Sequence, residues 1–99
     1  MNKEMNVKIE INRTGNKTIY KCLKGEVSAY EILERNGYVH IFTYQIINCD
    51  EINWEGIEFN NLFAKDGKVY RFNNWLGEAS FRKDYHGIEI EEIGILEII

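Results

Sequence analysis

The sequence contains no proline, only two cysteines and only three alanines. Because alanine is the strongest helix former, its scarcity argues against an all-helical protein. Cys22 and Cys49 form no C-x2-C pair and belong to no cysteine-rich framework, so we predict two reduced thiols. No apolar run reaches the ~18–20 residues that span a membrane, and the N-terminus is charged from Lys3, unlike a signal peptide. We therefore expect a cytoplasmic protein without membrane association.

The chain has 99 residues, which is enough for one hydrophobic core and too few for two. We predict a single compact domain over residues 1–99. Aromatic residues make up 13% of the chain and isoleucine is its commonest residue, and both features favour β-strands.

Apolar and polar residues alternate along several segments, which is typical of half-buried strands. Val7 and Ile9 face the same way in the first segment, and a turn at Gly15 is expected to lead back into a second strand over 18–23. The Asp66-Gly67 pair predicts a hairpin over residues 62–72.

The C-terminal segment alternates strictly until Glu91, where Glu92 follows it and the phase slips by one residue. With Gly94 nearby, this slip indicates a β-bulge or a bend. The chain ends on Ile98 and Ile99, whose side chains point to opposite faces of a strand. An exposed end of this kind favours pairing in the sheet and a homodimer through the C-terminal strand.

Residues 28–36 carry two conflicting signals. Ser28 and Glu31 match a helix capping box, and Gly37 matches a helix stop. Asn36-Gly37 is also a strong hairpin turn, and it precedes a β-branched and aromatic segment over 38–47. We favour the hairpin and keep one short helix near 28–36 as the alternative. The predicted fold is mostly β: an antiparallel meander or a curled sheet or barrel.

Groups for metal or covalent chemistry are few. The two histidines and two cysteines show no local metal-ligand spacing, so we predict no metal site and no cofactor. No nucleophile motif is present either. An enzyme is the least favoured class; it would be a small hydrolase or nuclease with His86 as the acid–base group, oriented by Glu78 or Asp84.

The net charge is −4, which disfavours direct nucleic-acid binding through the phosphates. The charge is uneven, however, because residues 65–86 carry a net +2 between two acidic blocks. The stretch 71–86 in this block supplies the predicted ligand- or partner-binding residues: Arg71, Asn74, Trp75, Arg82, Lys83, Tyr85 and His86. Arginine and lysine suit phosphates or carboxylates, and the aromatic side chains offer faces for stacking a base. The alternative is a polar connector whose aromatic residues are core.

A second candidate surface is acidic, and its residues are Asp50, Glu51, Trp54, Glu55 and Glu58. An exposed Trp54 with acidic neighbours would anchor a basic partner. The alternative is a Trp54 buried beneath a loop.

Three functions follow. The favoured one is a non-enzymatic binding protein that occupies the surface of a macromolecule, with a protein as the expected partner. The second is an oligomeric small-molecule binder, such as a sponge for a signalling nucleotide, and the third is the enzyme. The composition favours residues with AT-rich codons, as in AT-rich bacteria and their phages. In size, acidity and composition the chain resembles the small acidic proteins that phages encode against host defences. That resemblance implies an anti-CRISPR-like inhibitor whose acidic segments imitate nucleic acid.

Overall fold

Strands dominate the computed structural model, which describes residues 5–49, 59–77 and 85–99. The strands are β1 Asn6–Ile11, β2 Lys17–Lys21, β3 Val39–His40, β4 Gln45–Cys49, β5 Leu62–Lys65, β6 Lys68–Gly77 and β7 Tyr85–Ile98. One helix, α1, spans Ala29–Arg35, and single turns of 3₁₀ helix span Ile41–Thr43 and Phe59–Asn61. The predicted mostly-β fold is confirmed. Within these described ranges, no helix has the length and apolar character required to cross a membrane.

The described strands form one curled sheet in the order β3-β5-β6-β7-β1-β4, and β2 also pairs with β7. The pairs are antiparallel except that β1 and β4 run parallel. The C-terminal strand β7 therefore lies inside the sheet, with β6 on one side and both β1 and β2 on the other.

The expected reversal between β1 and β2 is wrong. Val7 in β1 pairs with Ile98 near the C-terminal end of β7, and Lys17 in β2 pairs with Glu91, which is nearer to the N-terminal end of β7. The two strands therefore run in one direction along β7, and residues 12–16 form a loop between them. Backbone hydrogen bonds from Asn12 N to Ile93 O and from Glu92 N to Asn16 O, 2.8 and 2.9 Å long, close the base of this loop. Turn residues indicate a loop but do not decide whether the chain reverses.

Apolar side chains fill both faces of the sheet. One buried cluster draws on strands from β5 to β1 and comprises Val7, Ile9, Ile41, Leu62, Ala64, Val69, Ile93 and Leu96. Partly buried residues of β4 also pack against this cluster, so the sheet curls around it, and we call its side the inner face. The other cluster joins α1 to the sheet and comprises Ile32, Leu33, Tyr38, Phe63, Ile88 and Ile90; we call its side the helix face. Phe63 lies between Leu62 and Ala64 in β5, so the alternation of one strand serves both clusters.

Residues 28–36 form the helix and not the favoured hairpin. The Ser28 side chain accepts a hydrogen bond from Glu31 N, and the Glu31 carboxylate accepts one from Ser28 N, which completes the capping box. Ile32 and Leu33 are fully buried against the sheet. The Asn36 amide donates to Ile32 O at 2.8 Å, so the Asn-Gly pair ends a helix instead of turning a hairpin. The capping box and the Asn-Gly turn are both adequate local signals, and the burial of Ile32 and Leu33 favours the helix over the hairpin.

The segment 38–47, expected as one long strand, is interrupted. Only β3 and the start of β4 are strands, and the 3₁₀ turn Ile41–Thr43 separates them. The turn buries Ile41 in the inner cluster and allows the chain to leave β5 and cross to β1. Strong β propensity therefore did not determine pairing here.

Two local predictions are confirmed. Asp66 and Gly67 both have positive φ, 54° and 79°, in a two-residue turn that pairs Lys65 with Lys68. This is the mirror-image turn that matches the twist of a hairpin. In β7 the register shifts beside Glu92 so that Ile93 has no partner in β6, which is the predicted bulge.

The two thiols lie on opposite faces of the sheet. Cys22 packs against the helix-face cluster and Cys49 against the inner cluster, and neither cysteine forms a disulfide. A disulfide needs two Cα atoms within about 7 Å of each other, and side chains on opposite faces of a sheet are poorly placed to form one.

Candidate functional site

A polar cleft of about 510 Å3 opens on the inner face, beyond the apolar cluster. Arg71 pairs with Leu62, which places Arg71 on the same face as this apolar cluster. The polar residues that line the cleft are Lys17, Asn61, Arg71, Asn73, Asn74, Glu89 and Glu91. The volume is within the range of about 300–1,000 Å3 that is usual for small-molecule sites. The lining of cations, amides and carboxylates suits a polar ligand.

Two arginine side chains form ion pairs with Glu91 in the wall of this cleft, and a lysine pairs with Glu91 from the adjacent strand. Lys17 in β2 and Arg71 in β6 are its direct cross-strand partners. Arg71 Nη2 lies 3.2 Å from Glu91 Oε1, and Arg13 Nη2, from the 12–16 loop, lies 3.7 Å from the same oxygen. We call Arg13, Lys17 and Arg71 the cation cluster. Two guanidinium groups therefore contact one carboxylate, and a lysine lies on the adjacent strand, in a protein of net charge −4.

An amide bridge connects the cation cluster to a second carboxylate. Arg71 Nε donates to Asn73 Oδ1 at 3.0 Å, and Asn73 Nδ2 donates to Glu89 Oε2 at 2.9 Å. A register shift between Phe72 and Asn74 leaves Asn73 without a cross-strand partner, so that Asn73 and Asn74 both line the cleft. Among the described residues, those that line the cleft carry two positive and two negative charges, and Arg13, which pairs with Glu91, adds a third positive charge beside them.

The structure separates the predicted ligand residues of the 71–86 stretch. Arg71 and Asn74 line the cleft. Trp75 pairs with Ile88 on the helix face, where it packs against the buried cluster and lies edge-on to Phe72, with ring centroids 6.1 Å apart. A base held by Arg71 would therefore not stack on Trp75.

The remaining predicted ligand residues are Arg82, Lys83, Tyr85 and His86. His86 is exposed on β7, and its carbonyl accepts a hydrogen bond from Cys22 N at 2.8 Å. Tyr85 pairs with Gly77 at the start of β7, and only its backbone is described. Arg82 and Lys83 lie outside the described residues, as do Glu78 and Asp84, which were considered as partners of His86.

The acidic surface predicted at Asp50, Glu51, Trp54, Glu55 and Glu58 also lies outside the described residues. The acidic C-terminal segment is described, and its carboxylates are divided between the two faces. Glu89 and Glu91 face the cleft, whereas Glu92 pairs with Tyr70 on the helix face and lies 3.7 Å from Lys68 Nζ. This segment consequently presents no continuous acidic strip.

Arg13 and Lys17 are the site residues that sequence reasoning missed. Both belong to the stretch 12–17, which the sequence predicts as a turn between two reversing strands. Arg13 contacts Glu91, and Lys17 pairs with it across the strands, because β2 continues along β7. The sequence shows that "NRTGNK" is cationic. Because this stretch lies more than seventy positions from Glu91, the sequence does not show that the two are neighbours in the fold.

Other titratable groups in the described residues have structural roles. Burial, and then the hydrogen bond between the Tyr38 and Tyr20 hydroxyls, raise the pKa of Tyr38, and burial also raises the pKa of Tyr70. Burial raises the pKa of the Cys22 thiol as well, so this thiol is a poor nucleophile at neutral pH. Within the described ranges, no group of three or more histidine, cysteine or carboxylate side chains is placed to hold a metal ion.

A small aromatic surface lies beside β3, the strand at one edge of the sheet. The His40 ring contacts Tyr30, Phe42 and Phe63, with each pair of ring centroids 5.0 Å apart. The Tyr30 hydroxyl donates to Asn60 O at 3.2 Å, and His40 Nε2 lies 3.0 Å from the same oxygen. Tyr30 and Phe42 remain 47% and 58% exposed, so aromatic area faces solvent here.

Comparisons with protein-family models, with curated proteins and with solved structures found no match to this chain.

Proposed function

We propose that this protein is a non-enzymatic binding protein whose cleft holds a small anionic ligand, with a phosphate-bearing nucleotide as the ligand class. The observation that supports this proposal is that Arg13 and Arg71 both pair with the Glu91 carboxylate, while Lys17 lines the same cleft from the adjacent strand. Guanidinium groups bind phosphate oxygens in a planar, bidentate manner, and a lysine adds a compact charge.

The amide side chains of the cleft would contact the base or the sugar of this ligand. Asn61, Asn73 and Asn74 offer both donors and acceptors, which match the polar edge of a base or the hydroxyls of a sugar. Recognition would then rest on hydrogen bonds, since Trp75 lies on the helix face.

A titration of purified protein with inorganic phosphate and with a panel of mono- and dinucleotides tests the proposal by calorimetry. We expect Arg71→Gln and Lys17→Gln each to weaken binding by about tenfold, because each removes a charged partner worth about 1.4 kcal/mol or more. Lys8→Gln is the matched control, since Lys8 is an exposed cation on β1 that pairs with Glu97 away from the cleft. We expect this control to bind as the wild type does.

Absence of heat and of any thermal shift with the whole panel would contradict the proposal. An equal loss of affinity in Lys8→Gln would also contradict it, because binding would then depend on overall charge and not on the cleft.

The second candidate function is occupation of a basic macromolecular surface, in the manner of a phage-encoded anti-defence inhibitor. The net charge of −4 and the solvent-facing rings of Tyr30 and Phe42 favour it, because a negative protein is attracted to a basic groove and exposed aromatic side chains can anchor an interface. The test is reversal of charge at Asp50, Glu51, Glu55 and Glu58, with binding to a basic nucleic-acid-binding protein measured against salt concentration. Weaker binding with a flatter salt dependence is expected; unchanged binding would remove this acidic segment from the interface.

A further inference from the structure

Glu91 occupies the place in the cation cluster that an external anion would take. Its Oε1 atom lies 3.2 Å from one guanidinium and 3.7 Å from another, and Lys17 is its partner on the adjacent strand. The residue is buried, with only 9% of its surface exposed, so its charge is weakly hydrated and strongly coupled to its neighbours.

We infer that Glu91 is an internal competitor that sets the affinity of the cleft for anions, an inference that rests on the proposed function. A phosphate that binds Arg71 and Arg13 must either displace the Glu91 carboxylate from their N–H groups or lie against it. Displacement costs the carboxylate its charge-assisted hydrogen bond, and close approach costs like-charge repulsion. Both costs weaken anion binding relative to a cleft that has the same cations without this carboxylate.

Glu89 provides an internal comparison. It lies on the same face of β7, two positions from Glu91, and its Oε2 accepts a hydrogen bond from the neutral amide of Asn73 at 2.9 Å. Its direct cross-strand neighbours are Asn74 and Ile19, whereas those of Glu91 are Arg71 and Lys17. The two carboxylates thus carry equal charge into one cleft, and of these two it is Glu91 that forms the ion pairs with Arg13 and Arg71.

The test compares Glu91→Gln with Glu89→Gln in calorimetric titrations with inorganic phosphate and with adenosine monophosphate at constant ionic strength. We expect Glu91→Gln to bind about tenfold more tightly than the wild type, because the charge-assisted competitor is lost. We expect Glu89→Gln to change affinity by less than about threefold, the effect of a nearby charge that is screened by solvent. Circular dichroism and thermal melting establish that each variant is folded.

A measurement on the unmodified protein covers the case in which Glu91→Gln does not fold. The carboxyl carbon resonances of Glu91 and Glu89 are followed by NMR while phosphate is added. A larger shift at Glu91 than at Glu89 is expected, since the anion takes over its partners. An equal or smaller shift at Glu91 would overturn the inference.

The titration outcomes separate the inference from the proposed function. Binding by the wild type with unchanged or weaker binding by Glu91→Gln would overturn the inference and leave the proposed function standing. Equal gains in the two variants would show a general charge effect and would also overturn it. If neither the wild type nor Glu91→Gln binds phosphate or the nucleotide, the proposed function and the inference both fail.

Discussion

Gly94 lies at the point in β7 where the neighbouring strand changes from β2 to β1. An ideal Cβ atom at this position would lie 2.6 Å from the carbonyl oxygen of Glu10 in β1. That oxygen belongs to backbone within a paired strand, so it cannot rotate away as a side chain would. Any larger residue at this position therefore forces β1 and β7 apart.

We expect Gly94→Ala to lower the free energy of unfolding by about 2 kcal/mol, the usual cost of an added methyl group that displaces its surroundings. Urea denaturation measures this difference. Glu97→Ala is the control, because Glu97 is exposed on the same strand, and it should change stability by less than about 0.5 kcal/mol. A Gly94→Ala variant as stable as this control would mean that β1 does not approach β7 so closely.

At the scale of the element, the stability of α1 depends on contacts at its two ends and on the burial of one face. A helix of seven residues is too short to be stable alone, because the cost of nucleation is spread over few hydrogen bonds. The capping box at Ser28 and Glu31 satisfies the first amides, and Arg35 near the C-terminus pairs with Glu26 at 2.7 Å. That pair anchors the preceding loop to the helix and holds the pKa of Glu26 below its usual value, chiefly through the hydrogen bond from Arg35.

The capping box at Ser28 predicts how substitutions of Ser28 change the stability of the protein. Ser28→Ala removes the side-chain acceptor for Glu31 N and should lower stability by about 1 kcal/mol. Ser28→Asp keeps an acceptor at the same place and adds a charge that favours the helix N-terminus, so it should retain the wild-type stability. Thermal unfolding of the three proteins checks this. Equal melting temperatures for wild type and Ser28→Ala would contradict a stabilising role for the cap.

At the scale of the whole molecule, the interior position of β7 changes how a dimer could form. The C-terminal strand pairs with β6 and with β1, and Ile99 N donates to Asn6 O at 2.9 Å, so its backbone does not form an open edge. Ile98 and Ile99 nevertheless remain 62% and 66% exposed. The homodimer proposed through this strand would therefore be held by side chains and not by added β pairing.

We expect light scattering to report a dimer for the wild type and a monomer for the Ile98→Lys, Ile99→Lys double variant, because two charges cannot be buried in such an interface. Val27→Lys is the control, since Val27 is an 80% exposed residue of the loop before α1 and should not affect assembly. A wild type that remains monomeric at high concentration would contradict the dimer.

Features that depend on neighbouring residues could be predicted from the sequence. Val7 and Ile9 are buried as their alternation indicates, because the strand period is a property of the backbone. The Asp66-Gly67 turn formed as expected, since only residues that tolerate positive φ suit it. The phase slip beside Glu92 marked a real bulge, because an extra residue must displace the pattern.

Tertiary structure decided the features that depend on distant residues. The choice of a helix at 28–36 rested on burial of Ile32 and Leu33 beneath a sheet that the local signals do not describe. The cation cluster formed because β2 continues along β7, which brings Lys17 beside Glu91. Local sequence sets periodicity, turns and caps, whereas pairing between segments many positions apart is selected by the free energy of burying both faces of the sheet. The fold class was therefore determined by the sequence pattern, and the arrangement of the cleft by the pairing of its strands.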